Sequence, residues 1–253
     1  MKIHLNKLLE NSSLIKVVSY PEYDLTYARE IVEQLKELSV TFIIFEGEKK
    51  VGNISVLGKG TTSIVLKGVK DDKTVAIKVL RKDANRPSVI DEAKRLELAN
   101  KVGVGPKLIG YRDKVLVMEY VEGKGIVEGL KGLLDQHQIP EIKRIIKDLL
   151  TQCYNLDRLG LDHGELSYAD KHVIITRNMR PVIIDFESAS TTRKTANLTS
   201  IIQYIFYRLP YSEHIRQIFG ITDLNALYSL LRRYKREKSD DIFKSILEFL
   251  GLR

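Results

Sequence analysis

A series of short apolar strands between residues 54 and 80 places the strongest constraint on the fold of this chain. β-Branched and aliphatic residues dominate Ile54–Leu57, Ser63–Val69 and Thr74–Leu80, a composition typical of strands. A glycine-bearing loop connects the first two strands, and a charged turn over residues 71–73 connects the last two. We therefore expect a hairpin-connected sheet in the first half of the chain.

Residues 1–51 are predicted to form a strand–helix–strand extension ahead of this sheet. Leu14–Tyr20 is rich in β-branched and aromatic residues, which predicts the first strand. Asp24 is placed to cap the helix that follows, and Val40–Phe45 is the second predicted strand. We expect the extension to pack on the small lobe formed by the strands that follow.

The pattern becomes helical after Tyr120 and a glycine-bearing linker over residues 121–125. Helices are predicted over 125–136 and 140–159 and again from Asn197 onward. A strand-rich part followed by a helix-rich part indicates an α+β chain with two lobes. The expected boundaries are 1–51 for the extension, 52–120 for the small lobe and 121–253 for the large lobe.

Composition places the chain among ordinary globular proteins, with 43% hydrophobic and 29% charged residues. The single cysteine, Cys153, excludes a disulfide framework and a metal site built from cysteines. The N-terminal segment lacks the apolar region of a signal peptide, and no apolar run approaches the roughly 20 residues of a bilayer span. We therefore expect a soluble cytoplasmic protein that is monomeric and makes no membrane contact.

The formal net charge of +8 is consistent with a partner that carries phosphates, either a nucleotide or a nucleic acid. Part of this charge is concentrated near the C-terminus, where it is compatible both with a solvated helix end and with contact to RNA. The residues of this basic cluster are Arg232, Arg233, Lys235, Arg236 and Lys238.

A glycine loop precedes the second strand of the sheet. Gly58 and Gly60 flank Lys59, and small residues at such positions let backbone N–H groups approach a phosphate closely. The loop is not a Walker sequence, which needs four residues between its first glycine and Gly-Lys-Ser/Thr. It is not a Rossmann loop either, because it leads into a strand instead of a helix. A plain hairpin turn remains the alternative.

A lysine interrupts the apolar strand that follows. Lys78 ends the sequence Val-Ala-Ile-Lys, and an ammonium inside an apolar strand needs a buried anion as its partner. Glu92 lies on the helix predicted from Val89 to Lys101 and is placed to be that anion. Taken alone, Lys78 is more typical of a solvated strand position and Glu92 of a helix surface.

In this order, the glycine loop, the Val-Ala-Ile-Lys strand and the helix glutamate resemble the signature motifs of the protein-kinase fold. His-Gly-Glu-Leu at 163–166 is similar to the catalytic loop of that fold, and Asp-Phe-Glu at 185–187 is similar to its metal-binding Asp-Phe-Gly. The resemblance covers residues 52 to 210. It implies a bilobal fold, with a β-rich N-lobe and a helical C-lobe, that uses ATP and Mg²⁺.

The same resemblance implies which residues bind ATP. Lys78 would hold the α- and β-phosphates while Glu92 holds Lys78, and Met118 would lie behind the adenine. The backbone of Glu119 and Val121 would pair with the base. The residues implied in ATP binding are Leu57, Gly58, Lys59, Gly60, Ser63, Val65, Ala76, Lys78, Glu92, Met118, Glu119 and Val121.

The catalytic residues implied by the resemblance are Lys78, Glu165 and Asp185. Glu165 stands where the family usually has aspartate, so its carboxylate would reach the acceptor hydroxyl from about 1.5 Å further along its side chain. Asp185 would bind Mg²⁺. Glu187 replaces the glycine that usually follows Phe186, which disfavours a segment that flips.

A second metal ligand has two candidates. Counting forward from Glu165 reaches Asp170, whereas counting back from Asp185 through the strand Val173–Thr176 reaches His172. Strand register favours His172, because pairing is harder to shift in a strand than in a loop. The preference of Mg²⁺ for oxygen ligands favours Asp170. The sequence leaves both open, with His172 the first choice.

The segment after Asp185 is short, since the next predicted helix begins near Asn197, and it contains no Ala-Pro-Glu. In this the chain resembles the small atypical kinases, namely the RIO type, the archaeal kinase of the tRNA-modifying complex, and an archaeal family of predicted Ser/Thr kinases. The resemblance implies a Ser/Thr protein kinase that acts on an unknown protein or on itself, with RNA or a ribonucleoprotein nearby. The alternatives are an ATPase-type switch, a small-molecule kinase and a catalytically inactive scaffold.

Overall fold

The computed structural model describes residues 1–252. It consists of two compact units, which are described in turn. The N-terminal unit comprises residues 1–97 and 106–120, and the C-terminal unit comprises residues 98–105 and the chain from Val121 onward.

The N-terminal unit is built on a seven-stranded antiparallel sheet. Its strand order is β1-β2-β6-β7-β9-β8, with the short β5 paired to β6, while β3 and β4 form a separate hairpin. The elements are β1 (Lys2–His4), α1 (Leu5–Leu8), α2 (Ser12–Val18), α3 (Leu25–Glu37), β2 (Val40–Ile44), β3 (Lys49–Val51), β4 (Ile54–Val56), β5 (Gly58–Lys59), β6 (Ser63–Lys70), β7 (Lys73–Leu80), α4 (Ile90–Lys101), β8 (Leu108–Tyr111) and β9 (Val115–Glu119).

One face of this sheet forms the apolar core of the unit. Side chains alternate between the two faces of a strand, and Val75, Ile77 and Val79 of β7 point into a core that also contains Leu14 and Ile31 of the extension. The extension therefore belongs to the same folded unit as the sheet, with β1 and β2 lengthening the sheet and α2 and α3 covering its apolar face.

The predicted strand at Leu14–Tyr20 is wrong, because these residues belong largely to the helix α2. The Asn11 side chain accepts hydrogen bonds from the backbone N–H groups of Ser13 and Leu14, at 2.9 and 3.2 Å, and so caps the helix. Burial of the apolar side chains of α2 outweighs their preference for strands. The strand that opens the extension is instead β1, which pairs with β2.

The other two elements predicted for the extension are confirmed. Helix α3 begins after Asp24, whose carboxylate accepts the N–H of Tyr27 at 2.9 Å. The strand β2 follows at Val40–Ile44.

The C-terminal unit is mainly helical, with one small sheet. The elements are β10 (Gly123–Gly125), α5 (Ile126–Asp135), α6 (Ile139–Leu159), a 3₁₀ helix (Leu166–Lys171), β11 (Val173–Thr176), β12 (Pro181–Ile183), α7 (Asn197–Gln203), a π-helical turn (Tyr204–Arg208), α8 (Ser212–Ile218), α9 (Leu224–Arg236) and α10 (Asp240–Phe249).

The segment predicted as a linker over residues 121–125 contains the strand β10, which pairs with β11. Gly123 allows this pairing, since a Cβ at this position would lie 2.3 Å from the carbonyl oxygen of Ile175. Together the two units confirm the α+β fold class. Within residues 1–252, every helix falls short of the length or the apolar character that a bilayer span requires.

The capping role of Asn11 predicts the effect of its substitution. Asn11→Ala leaves two N–H groups at the start of α2 without their side-chain acceptor, so we expect the free energy of unfolding to fall by about 1 kcal/mol. Urea unfolding followed by circular dichroism measures the change. Asn11→Asp retains an acceptor oxygen and should match the parent protein, and equal midpoints for all three proteins would contradict the assignment.

Candidate functional site

A buried ion pair connects the strand β7 to the helix α4 in the N-terminal unit. Lys78 Nζ lies 2.7 Å from Glu92 Oε1, and the two side chains are only 6% and 3% exposed. Helix α4 is held against the sheet by Val89 and Ala93, which pack with Leu80, and this packing brings Glu92 to the strand. Burying both charges carries a desolvation cost that an apolar pair would avoid, so stability alone does not explain the pair.

Several residues predicted to bind a nucleotide share one face of the sheet with Lys78. Directly opposed residues in an antiparallel pair lie on the same face. Val65 and Leu116 are opposite Lys78, and Met118 is opposite Ala76, two residues along the same strand. This face is opposite to the one that the extension covers.

The glycine loop is the turn of the β5–β6 hairpin. Gly58 is opposite Val65, and a Cβ at position 58 would lie 3.2 Å from the Val65 side chain. The N–H of Gly60 donates to the carbonyl of Ser63 at 2.8 Å. This N–H therefore closes the turn.

The remaining predicted ATP-binding residues lie near the strand ends. Leu57, next to β5, is half-buried, and Lys59 at the loop is exposed. The N–H of Glu119 donates to the Lys107 carbonyl at 2.9 Å, and its carboxylate accepts the Lys107 N–H. These two hydrogen bonds join Glu119 to the segment that leads into β8. Val121 belongs to the C-terminal unit.

In the C-terminal unit, Glu165, His172 and Asp185 form what we call the carboxylate–imidazole cluster. One potential ligand atom from each lies within 4.8 Å of those of the other two, and His172 Nε2 is 3.6 Å from Glu165 Oε2. Asp170 is exposed and, among the described residues, is not part of this cluster. The cluster therefore contains the first-choice metal ligand and not its alternative.

Local structure explains how the cluster forms. The 3₁₀ helix carries the chain from Glu165 to His172, which directly precedes β11. The carbonyl of His172 accepts the N–H of Ile184 at 2.9 Å, which places Asp185 beside it. Asp185 adopts a left-handed backbone conformation, with φ of +69°. Such strain in a residue other than glycine is concentrated at functional sites.

His163 supports the cluster from beneath. Its ring is fully buried and packs edge-on against His172 and Phe186. Its Nε2 is 3.0 Å from the carbonyl oxygen of Ile184 and must donate, since a carbonyl only accepts. Burial lowers the pKa of His163 to about 4, so the ring is neutral near pH 7 and fixes the backbone next to Asp185.

A buried polar network that the sequence analysis did not identify holds the segment around His163 in place. Asn197 accepts the N–H of His163 at 2.8 Å and donates to Asp157 and to the carbonyl of Leu161, also at 2.8 Å. Asp157 also accepts the hydroxyl of Tyr234. The signal that could have revealed the network is a carboxylate, Asp157, on the apolar face of α6.

The segment that follows Asp185 is fixed to the same loop. Asp162 and Ser190 exchange two backbone hydrogen bonds of 2.9 and 2.8 Å. Arg193 donates to the Asp162 carboxylate at 2.6 Å and to the Ser188 carbonyl at 2.9 Å. Gly164 makes room for this arginine, since a Cβ there would lie 2.3 Å from Arg193 Nη2. These contacts fix the short segment that follows Asp185 in this structure.

Comparison with known proteins identifies the family. Residues 65–202, more than half of the chain, match the model of the RIO domain. The chain belongs to the RIO domain family. This is an atypical protein-kinase-like family of phosphotransferases, whose members generally use ATP and Mg²⁺. Over 121 residues the chain is also 29% identical to an uncharacterized protein of Methanocaldococcus jannaschii, a match that spans 47% of this chain and 99% of that relative.

The chemistry of the cluster fits a divalent cation. The Asp185 carboxylate offers the oxygen ligand that Mg²⁺ and Mn²⁺ prefer, and the His172 imidazole is a ligand that suits transition metals such as Mn²⁺. His172 is buried and its Nδ1 has no hydrogen-bond partner within the described residues, so its ring is held by packing with Nε2 toward Glu165. The chemistry of these donors therefore fits Mg²⁺ and also suits Mn²⁺.

A metal titration separates the two candidates for the second ligand. We expect His172→Ala to weaken Mn²⁺ binding by roughly tenfold or more, because loss of a ligand costs at least as much as loss of an outer-shell partner. Asp170→Asn should bind like the parent protein. Electron paramagnetic resonance of free Mn²⁺ reports the affinity, and weaker binding in Asp170→Asn alone would reverse the assignment.

The depressed pKa of His163 predicts an acid-sensitive stability. Between pH 6.5 and about 4 the unfolded chain binds a proton at this residue and the folded protein does not, so stability falls as the pH falls through this range. The shift corresponds to about 3 kcal/mol. Urea unfolding of metal-free protein measures the fall in the free energy of unfolding over this pH range. In His163→Gln this fall should be smaller than in the parent protein by about the same amount.

The exposed His214 provides the matched control for this experiment. His214→Gln should follow the parent protein across the whole pH range. Parallel curves for the parent protein and His163→Gln would mean that His163 does not titrate abnormally in the folded state.

Proposed function

We propose that this protein is an ATP- and Mg²⁺-dependent Ser/Thr protein kinase of the atypical type with a short activation segment. Its acceptor would be a Ser or Thr of a protein partner or of the chain itself. The observation that carries the proposal is the buried ion pair of Lys78 and Glu92, which is the arrangement that kinases use to hold a lysine for nucleotide phosphates.

On the N-terminal unit, ATP as substrate would be held by residues on one sheet face. Lys78 would contact the phosphates and stay oriented through Glu92. Val65, Ala76 and Met118, which share that face with Lys78, would contact the adenine. An ammonium has three donors, so it can contact a phosphate oxygen while it is paired with a carboxylate.

On the C-terminal unit, the carboxylate–imidazole cluster would supply the catalytic groups. Asp185 and His172 would bind the divalent cation, whose chemistry is to neutralise phosphate charge. Glu165, 41% exposed at its side chain, would accept the proton of the acceptor hydroxyl or orient it. The neutral His163 would keep Asp185 in position through the Ile184 carbonyl.

The short fixed segment after Asp185 bears on the type of acceptor. Larger protein kinases dock peptides on this segment and switch it by phosphorylation. Here it is held by Arg193 and by the pairing of Asp162 with Ser190. An acceptor would therefore be presented by a folded partner or by this chain itself instead of by an extended peptide laid along the segment.

A second candidate, an ATPase-type switch in an RNA-containing assembly, is favoured by the surface of α9. Leu227, Leu231 and Tyr234 bury one side of this helix, and its basic side chains lie on the exposed side. A row of exposed cations is suited to a phosphate backbone. The exposed basic residues of α9 are Arg232, Arg233, Lys235 and Arg236.

A transfer assay with γ-labelled ATP and Mg²⁺ tests the proposal by following protein-bound label and free phosphate separately. We expect label on protein that is lost in Asp185→Ala and falls by about 10²-fold or more in Glu165→Gln, because general-base catalysis is worth that much. Glu213→Gln, which changes an exposed glutamate of the same unit, is the matched control and should label normally.

The other outcomes of the assay distinguish the alternatives. If free phosphate is released without labelled protein, and its release increases with added RNA, the ATPase-type switch would be favoured over the kinase. Nucleotide binding with neither product would contradict both and leave an inactive scaffold or a small-molecule acceptor.

A further inference from the structure

Tyr20 of the extension lies beneath two cations of the glycine-loop region. The Lys59 ammonium is 4.6 Å from the centre of its ring, and the Arg81 guanidinium carbon is 4.7 Å from it. Both distances fall within the range of attraction between a cation and an aromatic face. The family match begins at residue 65, so it includes neither Tyr20 nor Lys59.

Arg81 is bonded to the loop at two points. Its side-chain Nη1 donates to the carbonyl of Gly60 at 2.8 Å, and its backbone N–H donates to the carbonyl of Thr62 at 2.8 Å. The rest of the guanidinium is oriented by Asp83, whose two oxygens lie 2.8 and 2.6 Å from Nε and Nη2. A planar group fixed by this fork geometry has little freedom left, so Arg81 holds the tip of the loop.

The extension itself is anchored next to Tyr20. The carbonyl of Tyr20 accepts the N–H of Lys82 at 3.0 Å, and the Lys82 side chain pairs with Asp24 at 2.7 Å. The hydroxyl of Tyr27 donates to the carbonyl of Leu80 at 2.8 Å. The segment that carries the Tyr20 ring is therefore hydrogen-bonded to the end of β7, through Leu80, and to Lys82 just after it.

We propose that Tyr20 and Arg81 are positioning residues that hold the glycine loop, residues 58–62, in an ordered conformation before nucleotide arrives. The extension then acts as a brace for the loop, and nucleotide affinity depends on residues outside the family match. Ordering a loop in advance removes part of the entropy cost of binding. The link to nucleotide affinity rests on the proposed function, whereas the ordering of the loop does not.

Hydrogen exchange and nucleotide binding together test the brace. In nucleotide-free protein, Tyr20→Leu should exchange the amides of residues 59–62 several-fold faster, because it removes the aromatic face. Tyr20→Phe keeps that face and should restore slow exchange. The affinity for a fluorescent ATP analogue should weaken about three- to tenfold in Tyr20→Leu, with KM for ATP raised and kcat unchanged.

Two further variants serve as a control and as an independent test. Tyr23→Leu changes an exposed tyrosine of the same segment and should leave both loop exchange and nucleotide affinity unchanged. Arg81→Met removes the bond to Gly60 and the guanidinium over Tyr20 while it keeps every residue of the extension, and should accelerate exchange at the loop as Tyr20→Leu does. If Tyr20→Leu does not fold, the Arg81→Met protein still decides the question.

The outcomes separate the brace from the proposed function. Parent-like exchange and affinity in both Tyr20→Leu and Arg81→Met would overturn the brace. Faster exchange that Tyr20→Phe does not rescue would overturn the role of the aromatic face. Failure of the parent protein to bind the ATP analogue would instead contradict the proposed function, and the exchange measurements would still decide whether the extension orders the loop.

Discussion

Burying Lys78 against Glu92 removes two charges from water, and the cost of this desolvation constrains how helices pack on the sheet of the N-terminal unit. The pair is tolerated only if the ammonium and carboxylate stay in contact, so α4 must be fixed against the sheet by its apolar side chains. The opposite face of β7 must then supply the apolar burial that the unit needs. Helices α2 and α3 of the extension meet that requirement by covering Val75, Ile77 and Val79.

In the C-terminal unit, several buried polar groups are also satisfied, but by hydrogen bonds from side chains instead of an ion pair. The segment around His163 has little regular structure, so its backbone depends on side chains for hydrogen bonds. Asn197 and Asp157 supply these hydrogen bonds from two helices. The neutral ring of His163 then donates to the carbonyl of Ile184 and so restrains the residue before Asp185. The strained conformation of Asp185 persists because the residues around it are fixed in this way.

The sequence predicted the hairpin of β6 and β7, the helix α3 and the pairing of Lys78 with Glu92, because each follows from spacing along one or two elements. The predicted strand at Ile54–Leu57 forms a separate hairpin with β3 and does not join the main sheet. The sequence misassigned α2, since the cap at Asn11 and burial outweighed the strand preference of its residues. The network around Asp157 and the stacking of Tyr20 on Arg81 were not predicted. Both join residues far apart in the chain, and no local pattern specifies such a contact.

The apolar face that the extension covers has a consequence for how the domain should be delimited. The family match begins at residue 65, inside β6, yet the sheet gains two strands and the cover of one face from residues that come earlier. A protein trimmed to the family boundary would expose Leu66, Ile77 and Val117 to water and leave β6 as a free edge, the combination that promotes aggregation. In this chain, the family boundary lies inside a strand of the N-terminal unit, and the residues before that boundary belong to the same compact unit.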